Sequence, residues 1–149
     1  MTDSCDAVVR TPETHDEWSR YYGLRWQILR KPWNQPEGSE KDAREHDTWH
    51  RAVFCGDRMA GVARMQMNTV DEAQIRYMAV AEEFRGMGFG RMLVQSLEEI
   101  AREQGAERVM LDARSDAVGF YVVLGYHVVS DSYLLFDKIQ HYLMQKEFY

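Results

Sequence analysis

One stretch, residues 73–104, constrains the fold of this chain more than any other, because it joins a strand, a glycine-rich turn and a helix. Residues 74–80 include β-branched and aromatic side chains with partial alternation, which predicts a strand. Three glycines follow at alternate positions within 86–90, where a backbone can adopt conformations closed to other residues. Beyond them, apolar or small residues recur at the spacing of one helix face. The stretch therefore predicts a surface helix that begins at the glycine turn.

A glycine turn at a helix start is suited to binding anions. Several backbone N–H groups point at one spot there, and the helix dipole adds partial positive charge, so phosphate is the usual ligand. Arg85 adds a cation suited to a pyrophosphate. The alternative is a turn that only joins strand to helix. Two better-known phosphate loops do not fit, because Gly90 is followed by Arg91 and Met92, and the third residue after Gly88 is also Arg91.

Two segments of the chain resemble one known family. Residues 80–90, VAEEFRGMGFG, resemble the acetyl-CoA-binding motif of the GNAT superfamily of N-acetyltransferases. After a further strand, residues 117–126, AVGFYVVLGY, resemble that superfamily's Ala-x-x-Phe-Tyr-x-x-x-Gly-Phe segment. Weaker likenesses at 48–50, 62–64 and 139–144 are similar to the bacterial branch that includes ElaA-like and YjcF-like proteins. The resemblance implies an acetyl-CoA-dependent N-acetyltransferase.

The order of predicted elements indicates one α+β domain over residues 1–149. A helix follows Thr14, a polar loop covers 31–47, and a short helix covers 117–124. Strands are predicted at 8–10, 48–54, 59–67, 73–80, 108–112, 126–130 and 133–136. Strands 73–80 and 108–112 should form one parallel pair, because a helical crossover returns the chain in the same direction. A mostly antiparallel mixed sheet flanked by helices is also the GNAT-type fold that the resemblance implies.

The resemblance assigns cofactor contacts to particular positions. In the family, the pantetheine arm of acetyl-CoA pairs with the strand before the turn, and one N–H polarises the thioester oxygen. The corresponding backbone positions are Met78, Ala79 and Val80. The pyrophosphate is expected on the turn, at Arg85, Gly86, Met87, Gly88, Phe89 and Gly90. Many members place an asparagine where this chain has Arg114, so Arg114 or Ser115 is expected to contact the cofactor instead.

The resemblance also implies that Tyr121 is the catalytic acid. A phenol near the sulfur can protonate the departing thiolate; the alternative is a buried ring whose hydroxyl finds a polar partner. The general base stays open. Glu72 is too far from the reacting end, whereas His50 and His141 are candidates, because a neutral imidazole suits proton removal, or else simply surface residues. A metal pair of His46 and His50 lacks a carboxylate ligand set, so no metal is expected.

The acceptor is expected to be the primary amine of a small molecule or peptide. Direct attack in a ternary complex is favoured, because neither cysteine lies near the motifs to carry the acetyl group. Acceptor contacts are expected from the 31–47 loop and from Arg25, His50, Arg64 and His141. Arginines there favour an acceptor that also bears a carboxylate or phosphate; the alternative is a solvated face or internal ion pairs. Two other functions stay open, a non-catalytic acyl-CoA-binding regulatory module and an interaction domain whose turn binds nothing.

Composition narrows the range of partners. A net charge of −6 and a pI near 5.4 give no general attraction to nucleic acid. No apolar run approaches the length of a membrane span. Cys5 and Cys55 have neither metal nor redox spacing, which predicts free thiols and a reducing cytoplasm. Edge strands near the C-terminus make a homodimer plausible.

Overall fold

The computed structural model describes residues 5–148, whose strands form one seven-stranded sheet in the order β1-β2-β3-β4-β5-β7-β6. The strands are β1 (Ala7–Arg10), β2 (Trp49–Cys55), β3 (Arg58–Met67), β4 (Glu72–Val80), β5 (Arg108–Arg114), β6 (His127–Leu135) and β7 (Ile139–Glu147). The helices are α1 (His15–Leu29), α2 (Phe89–Glu103) and α3 (Val118–Val123). Only β4 and β5 pair in parallel. The predicted mixed fold with one parallel pair is confirmed.

Helix α1 begins where its capping signal predicts. The Thr14 hydroxyl accepts a hydrogen bond from the Glu17 backbone N–H at 3.1 Å. The Glu17 carboxylate does not complete the capping box, because it binds the Arg10 guanidinium at 2.7 Å. Of the helices within residues 5–148, none combines the length and the apolarity that crossing a membrane requires.

Helices α1 and α2 cover opposite faces of the sheet. Val53 of β2 packs into the cluster with Leu93 and Leu97 of α2. Its neighbours Ala52 and Phe54 point the other way and pack with Tyr21 of α1. The central strands are therefore apolar on both faces, as strands between two helical layers must be.

Strands β4 and β5 part after a short pairing, and this divergence positions the site. Residues 72–74 pair with residues 108–110, and no pairing follows although both strands continue. The register of β4 against β3 shifts beyond Arg76, and Tyr77 has a φ of 57°. A bulge and a left-handed non-glycine residue are costly local features. Together they turn β4 away from β5 and leave a wedge between the two strands.

The C-terminal end of the sheet differs from the prediction. Two last strands at 126–130 and 133–136 were predicted, but β6 is one continuous strand and β7 follows it. Residues 130–132, Ser-Asp-Ser, have turn-like composition, yet the strand passes them through register shifts against β7. The prediction was wrong because bulges allow turn-forming residues to remain within a strand.

The prediction of free thiols was also wrong. Cys5 and Cys55 are joined by a disulfide, with their Cα atoms 5.4 Å apart. Antiparallel pairing of β1 with β2 places Ala7 opposite Cys55, which brings Cys5 beside it across 50 residues of sequence. The spacing of two cysteines along a chain does not reveal such a tertiary pairing. The expectation of a reducing cytoplasm was based on free thiols, and the disulfide removes that basis.

Candidate active site

A cavity of about 700 Å³ lies in the wedge where β4 and β5 part. Its wall combines the second half of β4, the glycine turn, the end of β5, α3, and parts of β6 and β7. The predicted cofactor residues on this wall are Met78, Ala79, Val80, Arg85, Gly86, Gly88, Phe89, Gly90 and Arg114. Met87 and Ser115 are exposed and do not line it.

The glycine turn forms one end of the cavity. Gly86 and Gly88 have φ values of 78° and 87°, which other residues adopt only with strain. Gly88 is also the N-cap of α2, and no side chain caps this helix end. A Cβ on Gly88 would meet no atom within 4 Å, so conformation rather than space requires glycine there. The helix start is left with N–H groups available to an anion.

Two arginines stand beside this turn. Arg85 donates from Nε to the Val80 carbonyl oxygen at 3.3 Å, and its side chain is exposed at the mouth of the cavity. Arg91, in the first turn of α2, also lines the cavity. Only Arg85 was predicted as a cofactor contact. The signal for Arg91 was its place in the first helical turn, one residue after Gly90.

Tyr121 of α3 reaches the cavity from the opposite side. Its side chain is 6% exposed and packs edge-on against Phe120 and Tyr126, at 4.9 and 5.8 Å between ring centroids. Among residues 5–148, no group within hydrogen-bonding distance engages its hydroxyl. Burial raises the pKa of Tyr121, so the phenol is protonated at neutral pH. Its O–H is available for donation to a ligand.

His141 of β7 also lines the cavity, and it lies opposite Arg114 of β5. Its ring is buried and stacks on Tyr133, with centroids 4.4 Å apart and planes 13° apart. Nδ1 lies 3.0 Å from the Ile139 carbonyl oxygen. Because that oxygen only accepts, Nδ1 carries the proton of the neutral ring and Nε2 keeps its lone pair. Burial lowers the pKa of His141, which favours this neutral form.

A cluster of charged side chains that the sequence analysis missed surrounds the Tyr133–His141 stack. Arg30, Arg76 and Asp112 line the cavity there, and Asp112 accepts a hydrogen bond from the Ser132 hydroxyl at 2.6 Å. Burial raises the pKa of Tyr133 and Asp112 adds to this, while Arg76 and Arg30 oppose it. The available signal was the alternation along β5, where Asp112 and Arg114 flank the buried Ala113.

The other predicted acceptor residues, Arg25, His50 and Arg64, do not line this cavity. Both guanidinium groups are fully buried and bind carboxylates of the 31–47 loop. Arg25 binds Glu45 at 2.9 Å. His50 lies 2.8 Å from the Tyr21 hydroxyl through Nδ1, and burial lowers its pKa. The structure brings these three residues into one internal network and only His141 to the cavity.

Asp42 is the main carboxylate of this buried network. Its two oxygens accept from Nη1 and Nη2 of Arg64 at 2.6 and 2.9 Å, and one also accepts from Arg76 and the Tyr77 hydroxyl at 3.2 Å each. The Arg64 hydrogen bonds hold the pKa of Asp42 well below its usual range. The network ties the 31–47 loop to β3 and to the bulge of β4.

Comparisons with known proteins agree with this geometry. Residues 15–126 match the family model described as the acetyltransferase (GNAT) family. The uncharacterized N-acetyltransferase YjcF of Bacillus subtilis (strain 168) is 30% identical over 124 residues, covering 83% of this chain and 88% of that protein. Escherichia coli ElaA superposes with a TM-score of 0.78 at 19% identity, covering 95% and 99% of the two chains. An aminoglycoside 6'-N-acetyltransferase complexed with coenzyme A gives 0.78 at 14% identity, covering 94% and 96%.

Proposed function

The chain belongs to the acetyltransferase (GNAT) family, and on that basis we propose that it transfers an acetyl group from acetyl-CoA to a primary amine of a small molecule or peptide, by direct attack in a ternary complex. The observation that carries the proposal is one cavity that joins three features. They are a helix start that no side chain caps, a wedge beside β4, and a buried phenol whose hydroxyl has no partner among residues 5–148. Neither cysteine lines that cavity, so a cysteine-linked acetyl group is not invoked.

The residues present fit acetyl-CoA. The turn at 86–90 and Arg85 suit a pyrophosphate, because they combine N–H donors, a helix dipole and a cation. The unpaired edge of β4 at 78–80 suits the amide groups of a pantetheine arm, which can pair with it as an added strand would. When bound, acetyl-CoA supplies a thioester whose carbonyl carbon accepts a nucleophile. A backbone N–H at this edge of β4 would polarise the carbonyl oxygen.

The transfer requires two proton movements, for which the cavity offers one group each. The amine nitrogen forms a bond to the acetyl carbon while the carbon–sulfur bond breaks. His141 takes the proton that the amine loses, through the lone pair of Nε2. Tyr121 gives its phenolic proton to the departing thiolate. His50 is not needed as a base, because it is bound within the internal network and does not line the cavity.

Acetyl-CoA at one hundred times its dissociation constant should raise the free energy of unfolding by about 2.7 kcal/mol, or the melting temperature by about 5–10 °C. In Gly88→Asp this shift should be lost, because the new carboxylate stands where the phosphates bind. Melting curves with and without acetyl-CoA and CoA measure it.

Gly88→Asn is the matched control for this prediction. Asparagine has the same shape as aspartate and tolerates the left-handed conformation of Gly88, but it adds no charge. It should retain more of the ligand-induced shift than Gly88→Asp. No shift in the unaltered protein at millimolar acetyl-CoA would reject the proposed cofactor site.

His141→Gln should lower kcat/KM by about a hundredfold at neutral pH, because the general base is lost. In the unaltered protein, kcat/KM should rise with pH as His141 loses its proton, with a midpoint below 6.5 since burial lowers its pKa. The variant should lack the break below 6.5 and keep only the rise that deprotonation of the acceptor amine gives to both proteins. Rates of CoA release from pH 5 to 9 measure both effects.

The control for this pH profile is His127→Gln, because His127 is an exposed histidine of β6 outside the cavity. The profile of this variant should match that of the unaltered protein. A break in the profile below pH 6.5 that survives in His141→Gln would remove His141 from the role of base.

A further inference from the structure

We propose that the acceptor amine carries a carboxylate or phosphate group, held by Arg30, Arg76 and Arg114; this inference rests on the function proposed above. It names a substrate class that the family assignment leaves open. The arginines involved are not the pair predicted from sequence, Arg25 and Arg64, which are bound to carboxylates of the 31–47 loop.

The cavity has the opposite charge from the protein as a whole. The chain carries a net charge of −6, yet among residues 5–148 five arginines and only two aspartates line the cavity. The arginines are Arg30, Arg76, Arg85, Arg91 and Arg114, and the aspartates are Asp112 and Asp116. A concave site lined by one sign of charge concentrates ligands of the other sign.

Phosphates of the cofactor account for only part of this charge. Arg85 and Arg91 stand at the glycine turn, where the pyrophosphate is placed. The other three come from separate elements, namely the end of α1, the middle of β4 and the end of β5. They converge on the Tyr133–His141 stack. Arg30 and Arg76 lie over the neighbouring Tyr77 ring, 5.8 and 4.8 Å from its centroid, and both act on the pKa of Tyr133. Arg114 lies directly opposite His141 in the pairing of β5 with β7. A second anion-binding end therefore lies beside the proposed base.

The positive charges of the three arginines at this end are not fully balanced by carboxylates. Within residues 5–148, Nε of Arg114 has no hydrogen-bond partner, and its contact with Asp116 is long, at 3.7 Å. Arg30 donates to the carbonyl oxygens of Ser39 and Leu29 at 3.1 and 3.0 Å, and no carboxylate of residues 5–148 forms an ion pair with it. Arg76 shares the carboxylate of Asp42 with Arg64, which holds it more closely. Planar guanidinium groups in this state favour a carboxylate or a phosphate.

Asp112 supplies the complementary charge for the amine. Its carboxylate lies on the same strand as Arg114, two residues away, and is close enough to His141 to act on the pKa of that ring, in the raising direction. An acceptor with an ammonium and an anionic group can satisfy both ends. A polycationic amine would instead meet several arginines, and like charges brought together in a cleft are unfavourable.

The test compares acceptors that differ only in the anionic group. Amino acids are assayed against the same amino acids as carboxamides, phosphoethanolamine against ethanolamine, and spermidine as a polycation, with acetyl-CoA saturating. The anionic member of at least one pair should have a kcat/KM at least about tenfold higher. The amine of a carboxamide is less basic and more available as free base, so intrinsic reactivity opposes this preference. The first two pairs separate carboxylate from phosphate recognition.

For the preferred pair, the ratio of kcat/KM with the anionic acceptor to kcat/KM with the neutral one measures the preference. Arg30→Gln and Arg114→Gln should each lower this ratio about tenfold, mainly by raising KM for the anionic acceptor. Because both acceptors are assayed with the same acetyl-CoA, any effect of a variant on acetyl-CoA binding cancels in this ratio. Arg114→Glu should shift the preference towards neutral or cationic amines, which loss of structure alone cannot do. Arg102→Gln is the control, because Arg102 lies on the outer surface of α2 over the Phe148 ring.

Two results would overturn the inference. One is a kcat/KM for the neutral member of both pairs that equals that of the anionic member. The other is a fall in kcat/KM of the same size for both members in the arginine variants. These outcomes differ from a failure of the proposed function, in which acetyl-CoA raises the melting temperature but no amine in the panel releases CoA.

Discussion

Tyr121→Phe is expected to lower kcat by about 10²–10³-fold while leaving the affinity for acetyl-CoA nearly unchanged. The phenol is buried at the cavity, unpaired among residues 5–148, and kept protonated by a raised pKa. Phenylalanine retains the ring that packs against Phe120 and Tyr126 and removes only the proton donor. Steady-state rates of CoA release and the ligand-induced shift in melting temperature measure the two quantities.

Tyr126→Phe is the matched control for the loss of a buried hydroxyl. Tyr126 belongs to the same aromatic cluster, but its hydroxyl donates to the Glu98 carboxylate at 2.8 Å and does not face the cavity. Its removal should cost about 1 kcal/mol of stability, since Glu98 loses one hydrogen bond but keeps Lys146 at 3.1 Å, with little change in kcat. A fall in kcat of less than about threefold in Tyr121→Phe, against the expected range, would assign the proton to water instead.

Asp42→Asn should lower the free energy of unfolding by about 3 kcal/mol, because it leaves the buried Arg64 without its bidentate partner. Asparagine keeps the shape and removes the charge, so the effect reports the ion pair rather than a cavity. Glu45 still binds Arg64 at 2.8 Å, which places the estimate at the lower end of the range for broken buried pairs. Urea unfolding at neutral pH measures the difference.

The dependence of this difference on pH follows from the lowered pKa of Asp42. In the unfolded chain its carboxyl titrates near 3.8, and in the folded protein it titrates lower. The stabilisation is therefore fully present above the unfolded pKa and is lost as the pH falls through the folded one. The gap between the unaltered protein and Asp42→Asn should narrow progressively in acid.

Asp47→Asn provides the control for that comparison. Asp47 pairs with Arg44 at 3.4 Å, and both side chains are substantially exposed. Exposed pairs contribute about 0–1 kcal/mol, so this variant should unfold close to the unaltered protein. Equal losses in the two variants would show that the buried network adds nothing beyond an ordinary surface ion pair.

The cofactor end of the cavity was predictable because it is formed by local sequence. The strand, the turn and the helix are consecutive, and Gly86 and Gly88 have the backbone conformations that glycine permits. Tyr121 was found through its motif, and the structure places it on the same cavity. Its role as acid and the contacts with acetyl-CoA stay predictions until they are measured.

The acceptor end was not predictable, because tertiary contacts decide which arginines remain available. Arg25 and Arg30 lie five residues apart, yet Arg25 is buried against Glu45 whereas Arg30 ends α1 beside the cavity. Arg64 is neutralised by Asp42, which precedes it by 22 residues in a loop whose helical segments, at 31–33 and 45–47, are single 3₁₀ turns. Strand β7, which carries His141, was missed because the bulged β6 before it has turn-like residues.

The wedge between β4 and β5 and the turn that follows it are built from main chain, which every residue supplies alike. Such a site tolerates sequence drift wherever the backbone path is kept, and chains only 14% and 19% identical to this one share its overall fold. The end lined by Arg30, Arg76 and Asp112 depends on side chains and has no such tolerance. If that end binds the acceptor as proposed, single replacements there should redirect the enzyme to new acceptors and leave the proposed acetyl-CoA site intact.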